Sequence, residues 1–151
     1  DVSAYDILQS LFPDKQKDFI INVNETDLVL VKEVKDTNDN KDLEKLAKSI
    51  IDIISSELYI KAYVGIGTIV DNIRDLPRSF NDAQVALEVG KIFDTEKNIM
   101  TYDNLGIGRL IYQLPMTLCE TFLSEIFKKE GSPRSGSLLF YRSMISSAAV
   151  S

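Results

Sequence analysis

A chain of 151 residues, 44% apolar and 26% charged, has the size and composition of one soluble globular domain. Its net charge of -6, with no dense Lys/Arg run, argues against direct binding to a phosphate backbone, which depends on cationic neutralisation. Histidine is absent, which excludes Ser-His-Asp and Cys-His catalysis and His-based zinc sites.

The elements follow in chain order. Ile7, Leu8, Leu11 and Phe12 recur at helical spacing and predict a short helix over 2–12 that stops at Pro13. Two β-rich runs, 18–24 and 28–34, are separated by Glu25-Thr26-Asp27 and read as a hairpin. A polar loop over 36–41 leads to an amphipathic helix over 42–58, whose apolar face is Leu43, Leu46, Ala47, Ile50, Ile54 and Leu58. The run 60–70 reads as a strand interrupted by Gly65 and Gly67, which mark a bulge or a close approach to the backbone. A helix near 76–93 carries Pro77 in its first turn and Leu76, Phe80, Ala83 and Leu87 on its buried stripe.

Residues 98–102 suggest a last short strand. Asp103 or Asn104 is placed to cap a helix through Leu114, and Leu118, Phe122, Leu123 and Ile126 suit a further helix over 115–129. Strands alternating with helices give an α+β sandwich, with helices packed on the faces of a sheet. After Glu130 no acidic residue occurs and small residues dominate, so 131–151 reads as an atypical tail of vector-derived composition. Leu138–Tyr141 is its one candidate for an edge strand.

Three motifs stand in order: Gly65-Ile66-Gly67, then Asp75-Leu76-Pro77-Arg78-Ser79-Phe80-Asn81-Asp82-Ala83, then Tyr102-Asp103-Asn104-Leu105-Gly106 with Arg109-Leu110-Ile111. Together they closely resemble the GGDEF-like domain of the sugar-diacid and purine-catabolism regulators (CdaR/PucR type), over residues 1–130. The resemblance implies a degenerate nucleotidyl-cyclase-like domain with a mainly antiparallel sheet. It also implies a place in a bacterial transcription regulator whose helix-turn-helix reader is not in this chain. The family's first strand, central in such sheets, is expected before Asp1. Another chain or the unusual tail would fill that gap, or the chain omits part of the domain.

Active diguanylate cyclases carry a Gly-Gly-Asp/Glu-Glu-Phe turn, in which glycines admit the nucleotide and carboxylates hold metal against phosphate. The corresponding residues here are Asn24, Glu25, Thr26, Asp27 and Leu28, so both glycines and the first carboxylate are missing. No catalytic, cofactor or metal residue is therefore assigned, and the chain is not expected to be an enzyme. Arg74, Arg78 and Arg109 flank the motifs and are the candidate anion-binding residues, since guanidinium binds phosphate or carboxylate bidentately. The simpler reading makes each a solvated or salt-bridged side chain. Gly65-Ile66-Gly67 lacks the following residues of a phosphate loop, and Asp75 and Ser79 read as helix caps. Cys119 reads as a small buried hydrophobe.

The leading expectation is a non-catalytic regulatory and dimerisation domain, acting through self-association or other domains of the same regulator. The alternative is a sensor of a small anion or nucleotide in a relic cyclase cleft. No cofactor or membrane contact is expected, and DNA would be reached only through the absent reader. A single cysteine and no run of about 20 apolar residues suit a cytoplasmic location.

Overall fold

Ser3 starts the first helix, α1 (Ala4–Leu11), through a reciprocal capping box. Its hydroxyl accepts the Asp6 N–H at 3.2 Å, and the Asp6 carboxylate accepts the Ser3 N–H at 3.1 Å. That backbone donor holds the Asp6 carboxyl below its ordinary pKa. The computed structural model describes residues 2–35, 40–93 and 96–106, and the backbone of 144–150.

The hairpin forms where alternation placed it, as β1 (Asp18–Asn22) and β2 (Asp27–Glu33) in antiparallel register, Ile20 opposite Leu30. Even-numbered Leu28 and Leu30 then face one side of the sheet and Val29 the other. Helix α2 (Asn40–Leu58) begins two residues earlier than its apolar pattern suggested. It buries Ala47, Ile50, Ile51 and Ile54. With Ile7 and Leu8 of α1 these cover Leu28, Leu30, Val64 and Ile66 in one continuous core.

The expected strand over 60–70 is regular only as β3 (Tyr63–Ile66). Its opposite face meets α3 (Leu76–Phe93), where Ala83, Ala86 and Leu87 are fully buried. Strand β4 (Ile99–Thr101) lies beside β3. The described residues thus form three layers, with α1 and α2 on one face of the sheet and α3 on the other.

Strand order is β1-β2-β5-β3-β4, with β5 (Met144–Val150) in the middle. The central gap anticipated from the resemblance is therefore occupied by the C-terminal stretch. β5 runs along all of β2, from Asp27↔Met144 to Glu33↔Val150, and along β3 from Tyr63↔Met144 to Ile66↔Ser147. The α+β class stands, and its antiparallel part is the β1–β2 hairpin. The pairings β2–β5, β5–β3 and β3–β4 are parallel, so strand directions are mixed rather than mainly antiparallel. The reason is that β2 and β3 point the same way across the α2 crossover, and β5 enters between them in that direction. Leu138–Tyr141, Cys119 and the helices expected over 103–114 and 115–129 lie outside the described residues, apart from the short 3-10 turn Tyr102–Asn104.

Glycine matters at two positions in β3 and its exit. A Cβ on Gly65 would run into the Ala83 carbonyl oxygen of α3, and one on Gly67 into that of Ser79. Both obstacles are helix backbone, which cannot rotate away. Gly67→Ala is therefore expected to destabilise the fold by about 2–3 kcal/mol or more, as overpacking does, measured as a lowered urea midpoint.

A different backbone constraint closes α2. Tyr59 takes the left-handed conformation (φ 56) just past its last residue, with its N–H donating to the Ser55 carbonyl at 3.1 Å. That position favours glycine, and the Tyr59 side chain is 91% exposed, so it offers little packing in return. Tyr59→Gly is expected to stabilise the protein by about 0.5–1 kcal/mol, read as a higher melting temperature.

Candidate functional site

The turn between β1 and β2 is where cyclase chemistry would reside, and its side chains are engaged with one another. Asn24 Oδ1 accepts from the Thr26 N–H at 2.8 Å, the Asp27 N–H at 2.9 Å and the Thr26 hydroxyl at 3.0 Å. Asn24 Nδ2 donates to Asp27 Oδ2 at 2.7 Å, and the Val23 N–H donates to the Asp27 carbonyl at 3.0 Å. The side chain of Asn24 thus satisfies backbone donors that glycines in such a turn would present to an incoming phosphate. The turn closes on itself.

Beside it opens a cleft of about 990 Å3, lined by the start of α1 (Ser3, Ala4, Tyr5), the hairpin turn, and Ile60 and Lys61 ahead of β3. Much of its polar lining is already committed. Ser3 belongs to the capping box, the Tyr5 hydroxyl accepts from Gln9 Nε2 at 2.7 Å, and Asn24 and Thr26 hold the turn. Glu25 and Lys61 contribute opposite charges to the wall. Among the described residues no group of three or more His, Cys, Asp or Glu side chains stands together as a metal site.

The candidate arginines do not converge on this cleft. Arg74 lies in a 3-10 turn (Ile73–Asp75) capped by Asn72, whose side chain accepts the Arg74 N–H at 3.0 Å. Arg78 is in the first turn of α3; both side chains are exposed, and neither lines the cleft. Arg109 lies outside the described residues. Lys61, from the cleft wall, and Lys91 both approach Tyr63, with their ammonium groups 5.3 and 5.1 Å from the centre of its ring. Burial lowers the pKa of Lys91, and the ring face gives its charge an attractive neighbour.

The described parts of the three sequence motifs act as fasteners. Ser79, read as a cap, is instead fully buried within α3, and its hydroxyl donates to the Thr68 carbonyl at 2.5 Å. The Thr68 hydroxyl donates to Asp82 Oδ2 at 2.9 Å, so two residues of α3 clasp the end of β3. Its helical spacing from Ala83 and Leu87 was the signal that could have revealed Ser79 as a core-facing residue. The third motif ties β4 to α2. Thr101 Oγ1 and Asn104 Nδ2 both donate to Glu44 Oε1, at 2.9 and 3.0 Å, and Asn40 Nδ2 donates to Asp103 Oδ2 at 3.2 Å.

A GGDEF-like domain family model matches residues 1–89, well over half of the chain. The chain belongs to the GGDEF-like domain family. The match runs from α1 through β3 and most of α3, so it includes the altered turn, the glycine pair and the Ser79 clasp. No curated protein and no solved structure matches the chain. No helix among the described residues of this GGDEF-like domain is long and apolar enough to cross a membrane.

Because Asn24 Oδ1 accepts three of the turn's hydrogen bonds, Asn24→Ala is expected to cost about 1–2 kcal/mol, the scale of losing hydrogen bonds to partners left without a substitute. Equilibrium denaturation of the two proteins measures it.

Proposed function

We propose that this GGDEF-like domain is a non-catalytic regulatory module of a bacterial transcription regulator of the CdaR/PucR type, working in the cytoplasm. One observation carries the non-catalytic part. At the signature turn, Asn24 spends its side chain on the Thr26 and Asp27 N–H groups, where an active cyclase needs glycines open to nucleotide. Thr26 also replaces the first signature carboxylate, which removes a hard oxygen ligand for divalent metal. The regulator assignment draws on the ordered Gly65–Gly67, Asp75–Ala83 and Tyr102–Gly106 motifs. Such a domain contributes by assembly: a two-fold regulator needs contacts that set the spacing of its two DNA-reading parts. DNA would be met by a helix-turn-helix elsewhere in the regulator, since this chain is acidic.

A second reading keeps the cleft of about 990 Å3 as a binding site for a small anion or nucleotide. Its size suits such a ligand, but its wall carries the acidic Glu25 as well as Lys61, and neither Arg74 nor Arg78 lines it.

Incubating the chain with GTP and Mg2+ separates the readings. The expected result is no cyclic dinucleotide and an unchanged melting temperature. Product would overturn the non-catalytic reading. Stabilisation without product would favour sensing, because a ligand at 100 times its Kd adds about 2.7 kcal/mol.

A further inference from the structure

We infer that β1 is a self-association edge, along which two copies of the chain pair antiparallel about a two-fold axis. The inference gives the assembly role proposed above a specific surface, and it rests on that reading only for its biological purpose.

The argument begins with which amides face outward. The Val23 N–H donates to the Asp27 carbonyl, and the Glu33 N–H donates to the Lys17 carbonyl. In an antiparallel ladder bonded residues alternate, so odd-numbered residues of β1 turn their backbone groups toward β2. Ile20 and Asn22 then point theirs away from the sheet. The Asp18 N–H is satisfied by the Asp14 carbonyl at 3.0 Å, which leaves its carbonyl facing outward. Among the described residues β1 is a terminal strand of the sheet.

Edges of this kind normally carry a device against pairing, such as a lysine, a proline or a bulge within the strand. Phe19-Ile20-Ile21 has none of these. Phe19, Ile21 and Val23 are instead about half exposed, at 51%, 50% and 49%. They form a stripe beside the apolar groove that Val29, Val31, Leu76, Pro77 and Phe80 complete.

The segment is complementary to itself in one direction only. With Ile20 opposite Ile20 of the second copy, the two exchange both backbone bonds, and each Asn22 N–H meets the partner's Asp18 carbonyl. Phe19 then faces the partner's Ile21 on the exposed side, a favourable aromatic and β-branched pair. Beyond the strand, exposed Lys15 and Lys17 of one copy approach exposed Glu25 of the other. A parallel arrangement would set like charges side by side. Five residues of strand bury less than the roughly 1,200 Å2 of a standard interface, so the dimer is weak and concentration-dependent.

The test is light scattering of the full chain over a hundredfold concentration range. The wild type is expected to move from one chain mass toward two. Phe19→Lys with Ile21→Lys sets lysines across from each other in both outer pairs and should raise the dissociation constant about tenfold or more. Phe19→Lys with Ile21→Glu places a lysine opposite a glutamate in each pair and should restore association at low salt. Asn22→Pro, which deletes an outward N–H that β2 does not use, should weaken pairing while leaving the fold's thermal transition in place. A wild type that stays monomeric throughout overturns the inference. So does a dimer indifferent to all three variants, although that dimer would leave the assembly role intact on another surface. Cyclase product from GTP would sink the non-catalytic reading and leave this edge untouched.

Discussion

Everything on the α3 side of the sheet depends on two positions that have no room for a side chain. At Gly65 and Gly67 the strand comes so close to α3 that helix carbonyls of Ala83 and Ser79 occupy the space a Cβ would need. Close approach lets Ser79 reach the Thr68 carbonyl and Thr68 reach Asp82, and it seats Leu87 against the strand. A buried hydroxyl is costly without a partner, so Ser79 and the glycine pair imply each other. The same geometry settles what the glycines are for. Their exposed backbone is pressed against a helix, and a phosphate has no place there.

The sheet carries a second constraint at its centre. β2 and β3 are joined across α2 and lie parallel, with one strand position between them. Left vacant, that position would strand backbone donors and acceptors from both neighbours beneath the helices α2 and α3, where water cannot readily satisfy them. β5 resolves this by pairing with both sides. The strand comes from the far end of the sequence, so closing the sheet requires a long-range contact. Such contacts form slowly because loop closure precedes the reward.

How much of this could be seen in the residues varies with the physics behind each element. α2 and α3 were legible because a 3.6-residue apolar period survives in any context that buries one face. The hairpin was legible from its polar break, and the loss of the cyclase signature from Asn24, Glu25 and Thr26. The extent of β3 was not: Gly67 carries the chain out of regular pairing and onto α3, a tertiary contact that composition does not encode. That the C-terminal tail could fill the central position was one of the options the resemblance left open, but its strand was not locatable, because Met144–Val150 has neither alternation nor turn signals around it and Leu138–Tyr141 is the more apolar run. At the candidate site, guanidinium chemistry points to the arginines but says nothing of where the fold places them. Arg74 and Arg78, however, sit exposed on a 3-10 turn and a helix start away from the cleft.

The two uses of glycine in this domain make its functional direction intelligible. In the β1–β2 turn, where open backbone would serve a nucleotide, glycine is absent and the Asn24 side chain accepts the Thr26 and Asp27 N–H groups. In β3, where open backbone serves helix packing, glycine stands at both positions that need it. A sequence under no demand for a defined structure would have no reason to make this distinction. Backbone freedom is thus kept where it joins strand to helix, and it is absent at the hairpin turn, where side chains hold the backbone donors instead. On the hairpin's outer side, Phe19 and Ile21 expose apolar surface along a strand that is terminal in the sheet among the described residues.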